Sequence, residues 1–149
     1  MLTHLAIRNF AVVKTLDIDF NQGMTAITGE TGAGKSIAID GLSLCLGARA
    51  DANAVRKDSA KAQVIAEFDI SNMTHVHSWL TELELVQEED PQHCVIRRVI
   101  SSEGRSKAFI NGKTVTLAQL KVLGQWLVSI HGQHAHHQLL KPEAQLSLL

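Results

Sequence analysis

Eight consecutive residues, Gly29-Glu30-Thr31-Gly32-Ala33-Gly34-Lys35-Ser36, fit the pattern G-x-x-x-x-G-K-[ST]. Each residue type in it has a physical task. Glycines at 29, 32 and 34 let the backbone adopt positive φ and approach an anion closely, so that successive N–H groups converge on phosphate oxygens. A helix running on from Lys35 adds the positive end of its dipole to the same oxygens. Lys35 then reaches the β- and γ-phosphates as a mobile charge, and the Ser36 hydroxyl ligates Mg²⁺. At average glycine and lysine usage the pattern arises by chance in roughly one chain of this length in a few hundred. The chemistry expected of the loop is binding of a nucleoside triphosphate, ATP, together with Mg²⁺.

Such a loop works only between a strand and a helix, and the flanking sequence supplies both. Met24–Thr28 is a short β-prone run, and Ile37–Leu46 is apolar nearly all round and stopped by Gly47, as a buried helix reads. Ahead of the loop, Leu2–Arg8 and Val12–Phe20 read as an antiparallel hairpin turning at Asn9-Phe10-Ala11. Beyond it, Ala48–Ala60 reads as a loop or short helix, Gln63–Ile70 as a strand and Thr74–Leu85 as an amphipathic helix closed by Glu88-Glu89-Asp90-Pro91. Cys94–Ser101 and Arg105–Ile110 form a second hairpin about Ser102-Glu103-Gly104, with Asn111-Gly112 a further turn signal. Thr116–Leu127 reads as a helix, Val128–Ile130 as a short strand, and a helix starts after Pro142. Strands, loop, helix, strands and helix in this order predict an α/β fold with a mixed sheet.

With 149 residues, 45% of them hydrophobic, the chain suffices for one domain with its own core. A net charge of −1 excludes a broad basic field, so any nucleic-acid contact must be local or lie elsewhere. Cys45 and Cys94 have neither metal-ligand nor redox spacing and read as reduced core residues. No stretch reaches the about 18 apolar residues of a membrane span, and the N-terminus has no leader pattern. A soluble, intracellular protein is expected.

Longer stretches carry a resemblance. Ile7-Arg8-Asn9-Phe10, Asp19-Phe20, Gly23, then Ile27 through Ser36, and Asp40, continue into LGARAD, VRKDSAKA, RRVISSEGRSKAFING and IHGQHAHHQLL. Over essentially its whole length the chain resembles the SMC-type heads of the ABC ATPase superfamily, and within them a bacterial branch that repairs DNA double-strand breaks. The resemblance implies that residues 1–149 form the N-terminal lobe of such a head: strands within 2–28, phosphate loop at 29–36, helix at 37–47, further strands and helices to 130, and a segment at 131–138 leading to the second lobe. A C-terminal lobe, reached through a coiled coil, would supply the Asp-Glu pair and the LSGGE-like segment that this sequence lacks. ATP would be held between two heads of a homodimer, with DNA as partner and a cytoplasmic, nucleoid-associated location.

Residue by residue, Gly32, Gly34, Lys35 and Ser36 carry over directly, Lys35 in a catalytic role. Arg56 stands where SMC-type heads place an arginine that touches nucleotide or DNA; its other reading is a solvated loop arginine. Ala11 stands where related break-repair heads carry an arginine after the Asn-Phe pair. In His131-Gly132-Gln133-His134-Ala135-His136-His137, the resemblance gives Gln133 the role of completing the Mg²⁺ shell and sensing the γ-phosphate, with His131 the alternative by alignment on the glycine. A zinc site there lacks a closed tetrahedral spacing. Trp79 and Trp126 fall among apolar helix neighbours and read as core rather than as base-stacking residues. Two other functions share the loop: a membrane transporter's nucleotide-binding domain, against which Asn9-Phe10 and the GRSKAFING hairpin argue, and a nucleotide-gated interaction module without hydrolysis.

Overall fold

Along β3 (Lys61–Asp69) and β4 (His93–Ser101) every second side chain is buried, as a strand covered on one face requires. The computed structural model describes residues 1–20 and 31–130. With β1 (Leu2–Phe10), β2 (Val13–Asp19), β5 (Ser106–Ile110) and β6 (Lys113–Val115), these strands build a six-stranded sheet in the order β2-β1-β3-β4-β5-β6. Every pairing among the described residues is antiparallel. Register sets Leu5 opposite Ile18 and Ala66, Ala66 opposite Ile96, and Ile96 opposite Ile110, so the buried residues run as one apolar face across the strands.

Among the described residues three helices cover that face: α1 (Thr31–Cys45), α2 (Thr74–Glu82) and α3 (Leu117–Ile130). α1 lies over β1, β3 and β4, with Gly41 against Ile7 and Val64 and the Cys45 thiol near the carbonyls of Val64 and Ile96. α2 and α3 touch through Trp79 and Trp126, whose rings meet edge to face at 5.6 Å, packed against the core as expected. The opposite sheet face is half-exposed and mixed, with polar residues beside Ile65, Val95, Val99 and Phe109. There Arg97 lies 4.0 Å above the Phe109 ring and donates to Gln63, and Arg8 pairs with Asp17.

The architecture is the expected α/β one, with differences in its elements. α1 begins at Thr31, so the last six of the eight residues of the phosphate-loop pattern belong to the helix and not to a loop ahead of it. Val128–Ile130, expected as a strand, continues α3. β6 was not expected at all. The expected strand at Met24–Thr28, the histidine-rich segment and the helix after Pro142 lie outside the described residues.

Candidate functional site

The site is built at the N-terminal turn of α1. Gly34 is buried there, while Lys35 and Ser36 are exposed side by side. The first N–H groups of a helix have no partner in the helix itself, so this end presents donors beside an ammonium and a hydroxyl. Four residues beyond Ser36 is Asp40, one turn along the same side of α1. Partial burial raises its carboxyl above the usual carboxylate range. Of the residues predicted from sequence, Thr31, Gly32, Ala33, Gly34, Lys35 and Ser36 are thus brought together on one helix. Gly29, Glu30, His131 and Gln133 lie outside the described residues.

Arg56 belongs to a second cluster, at the turn between β1 and β2. A short 3-10 turn at Ala52–Ala54, capped by the Asp51 carboxylate on Asn53 N–H, delivers the chain to that turn. Phe10 and Val55 form a β-bridge, Ala11 N–H donates to Ala54 O at 2.6 Å, and Arg56 N–H donates to Asn9 O at 2.8 Å. Asn9 and Ala11 hold left-handed backbone conformations, φ 53° each, which this docking stabilises. The half-buried Arg56 is therefore fixed by its backbone next to Ala11.

One charged residue of consequence was not singled out in the sequence. Arg98 is 1% exposed and reaches from β4 to the far end of α1, where Nη1 donates to Leu44 O at 2.6 Å and Ala48 O at 2.8 Å. Burial draws its guanidinium below the ordinary value, and the neighbouring Cys45 opposes that shift. The signal was present in the alternation, because Arg98 falls on the same parity as Cys94, Ile96 and Ile100. A charge on the apolar parity of a strand has to find partners inside the fold.

A family model described as an AAA domain matches residues 4–149. The DNA repair protein RecN of Vibrio cholerae is 56% identical over 149 residues, all of this chain and 26% of that protein. RecN of Bacillus subtilis is 41% identical, again over all of this chain and 26% of the relative. The chain thus spans about a quarter of the length of the curated relatives it matches. Among solved structures, one from work on ATP-driven dimerization and DNA-stimulated activation of SMC ATPases superposes with a TM-score of 0.61 at 23% identity, covering 84% of this chain and 78% of that one. The SMC head domain from Thermotoga maritima gives 0.54 at 16% identity, covering 81% and 41%. These two establish a shared fold.

Proposed function

The chain belongs to the AAA domain family, and from that premise we propose that it is the ATP-binding N-terminal lobe of an SMC-like ATPase acting in repair of DNA double-strand breaks. The observation that carries this reading is the pairing of exposed Lys35 and Ser36 on the first turns of a helix whose opposite end is buried in the sheet. Phosphoryl transfer asks a protein chiefly for positioning and for charge to offset the phosphates. Here the N-terminal N–H groups of α1 and the Lys35 ammonium hold and neutralise the β- and γ-phosphates. The Ser36 hydroxyl, exposed one residue further on, fits a Mg²⁺ ligand, with Gln133 as a second. Bound Mg²⁺ would supply further charge on the phosphate oxygens and orient them.

In the intact protein the C-terminal lobe supplies the Asp-Glu pair and the segment that closes on the γ-phosphate, and ATP joins two heads of a homodimer. Nucleotide state then governs how DNA is held, in the cytoplasm and on the nucleoid. Arg56, fixed beside the β1–β2 turn, contacts nucleotide or DNA from there. Relatives named for DNA repair and a fold shared with SMC heads disfavour the transporter alternative. Among the described residues no helix is long and apolar enough to cross a membrane.

Lys35→Ala in the full-length protein is the test. Removing the ammonium should abolish measurable binding of labelled ATP while circular dichroism stays that of the parent. Equal affinity in the two proteins would refute the site.

A further inference from the structure

Arg98 is the one charged side chain fully buried among the described residues, and its place in the fold is unusual for its cost. β4 turns it inward under α1 between the cross-strand neighbours Val64 and Ala108, and the small Ala108 leaves space for a guanidinium. We propose that Arg98 is a positioning residue for the triphosphate site, gripping the C-terminal end of α1 so that the turn bearing Lys35 and Ser36 is held in a fixed place and direction. This rests on the reading of the N-terminal turn of α1 as that site.

The grip is specific to the helix end. α1 closes with Gly47 in the left-handed region, φ 107°, where Gly47 N–H donates to Leu44 O and Ala48 N–H donates back to Ser43 O. That is a glycine-terminated cap, and it folds the Leu44 and Ala48 carbonyls toward the same point. A single nitrogen of Arg98 takes both, so the last turn of the helix and the chain leaving it are tied to one atom of β4. Nη2 reaches Ser106 Oγ at 3.4 Å, and Nε finds no acceptor among the described residues. The charge sits at the negative end of the helix dipole, out of water and little screened.

An apolar side chain of similar length would fill this space without the desolvation cost of an ion, so stability is a weak reason for an arginine here. Two charged hydrogen bonds with fixed directions do what an apolar contact does not: they set the slide and rotation of the helix on the sheet. From Leu44 back to Lys35 is nine residues of rigid helix, about 13 Å. Movement at the gripped end is therefore carried to the phosphate-binding end.

The experiment compares Arg98→Met, Arg98→Lys, Lys35→Ala and Leu80→Ala in the full-length protein, with ATP hydrolysis measured well below each variant's melting temperature. Leu80 is buried on α2, which packs against α3, so Leu80→Ala controls for loss of stability. Arg98→Met should lower kcat/KM by about 10- to 100-fold, the scale of a small misplacement at a reacting centre. Arg98→Lys, which keeps the charge but not the two-bond geometry, should recover part of the loss. Leu80→Ala should stay within about twofold of the parent although it melts lower. If Arg98→Met does not fold, Arg98→Lys decides alone: a value equal to the parent overturns the proposal. Normal turnover by Arg98→Met beside an inactive Lys35→Ala overturns it while leaving the phosphate site standing, and so does an equal loss in Leu80→Ala. Unchanged ATP binding in Lys35→Ala removes the site itself, and the proposal with it.

Discussion

The backbone carbonyl of Leu46 occupies the space that a side chain on Gly124 would need, so the C-terminal end of α1 and the middle of α3 meet backbone to backbone. The contact continues through Gly47, where an added Cβ would lie 2.9 Å from Lys121 Cα. Backbone atoms at both points leave nothing that can rotate away.

Gly124→Ala should therefore destabilise the protein although alanine is the better helix former. The intrinsic gain of about 1 kcal/mol from replacing glycine is outweighed by a clash that separates two helices, and a net loss of about 1–3 kcal/mol is expected. Urea unfolding of the parent and the variant measures it. A midpoint at or above the parent's would show that the helices are not in contact here.

At Ala11 the opposite sign is expected. Its φ of 53° is a conformation that costs an L-residue about 1 kcal/mol, and glycine adopts it freely. Ala11→Gly should raise stability by up to about 1 kcal/mol, part of which the greater freedom of the unfolded chain takes back. Ala11→Pro should fail badly, since it removes the N–H that donates to Ala54 O. Thermal melts of the two variants should move in opposite directions, and melts that move together would argue against the left-handed turn.

Much of this was legible in the sequence because alternation and turn chemistry are local. Gln63–Ile70 and Cys94–Ser101 carry their burial pattern in their own residues, and both hairpins carry turn residues at the right places. β6 was missed because Lys-Thr-Val is too short to show a period, and its strand character comes from pairing with Ala108, Phe109 and Ile110. Val128–Ile130 misled because its two β-branched residues suit a strand, whereas α3 had already set the helical course. Within the site, Lys35 and Ser36 are written in a contiguous motif. The Arg98 grip joins residues 54 positions apart, and only the fold shows which carbonyls it meets.

The thiols give a pH prediction. Burial pushes both Cys45 and Cys94 from 9.0 up to about 12, so in the folded state they stay protonated where an unfolded chain would not. The unfolded state then sheds protons first, and stability falls as pH rises above about 9, by about 1.4 kcal/mol per pH unit for each thiol, until the folded-state values are reached. Urea midpoints on either side of pH 9 should show this fall, smaller in Cys94→Ala. In the native protein at neutral pH, iodoacetamide should label neither residue until urea is added. Rapid labelling of the native protein, or flat midpoints, would contradict the burial.

The last prediction concerns what residues 1–149 do by themselves. Binding a triphosphate needs donors and positive charge, which α1 offers at Lys35 and Ser36. Turnover needs more: a carboxylate to orient the attacking water and a surface that closes on the γ-phosphate. In this sequence no apolar strand ends in an Asp-Glu pair, and no LSGGE-like segment occurs. Asp40, the one acid on α1, stands within the helix four residues beyond Ser36 and ends no apolar strand. The isolated segment should thus bind nucleotide weakly at best and release no phosphate above background, and turnover should appear only when the C-terminal lobe is joined to it. A phosphate-release assay on both forms decides the matter, with Lys35→Ala as the guard against a contaminating ATPase. Steady release by residues 1–149 alone, lost in Lys35→Ala, would mean that the segment is a complete enzyme and that its catalytic carboxylate lies among acids assigned here to loops and turns.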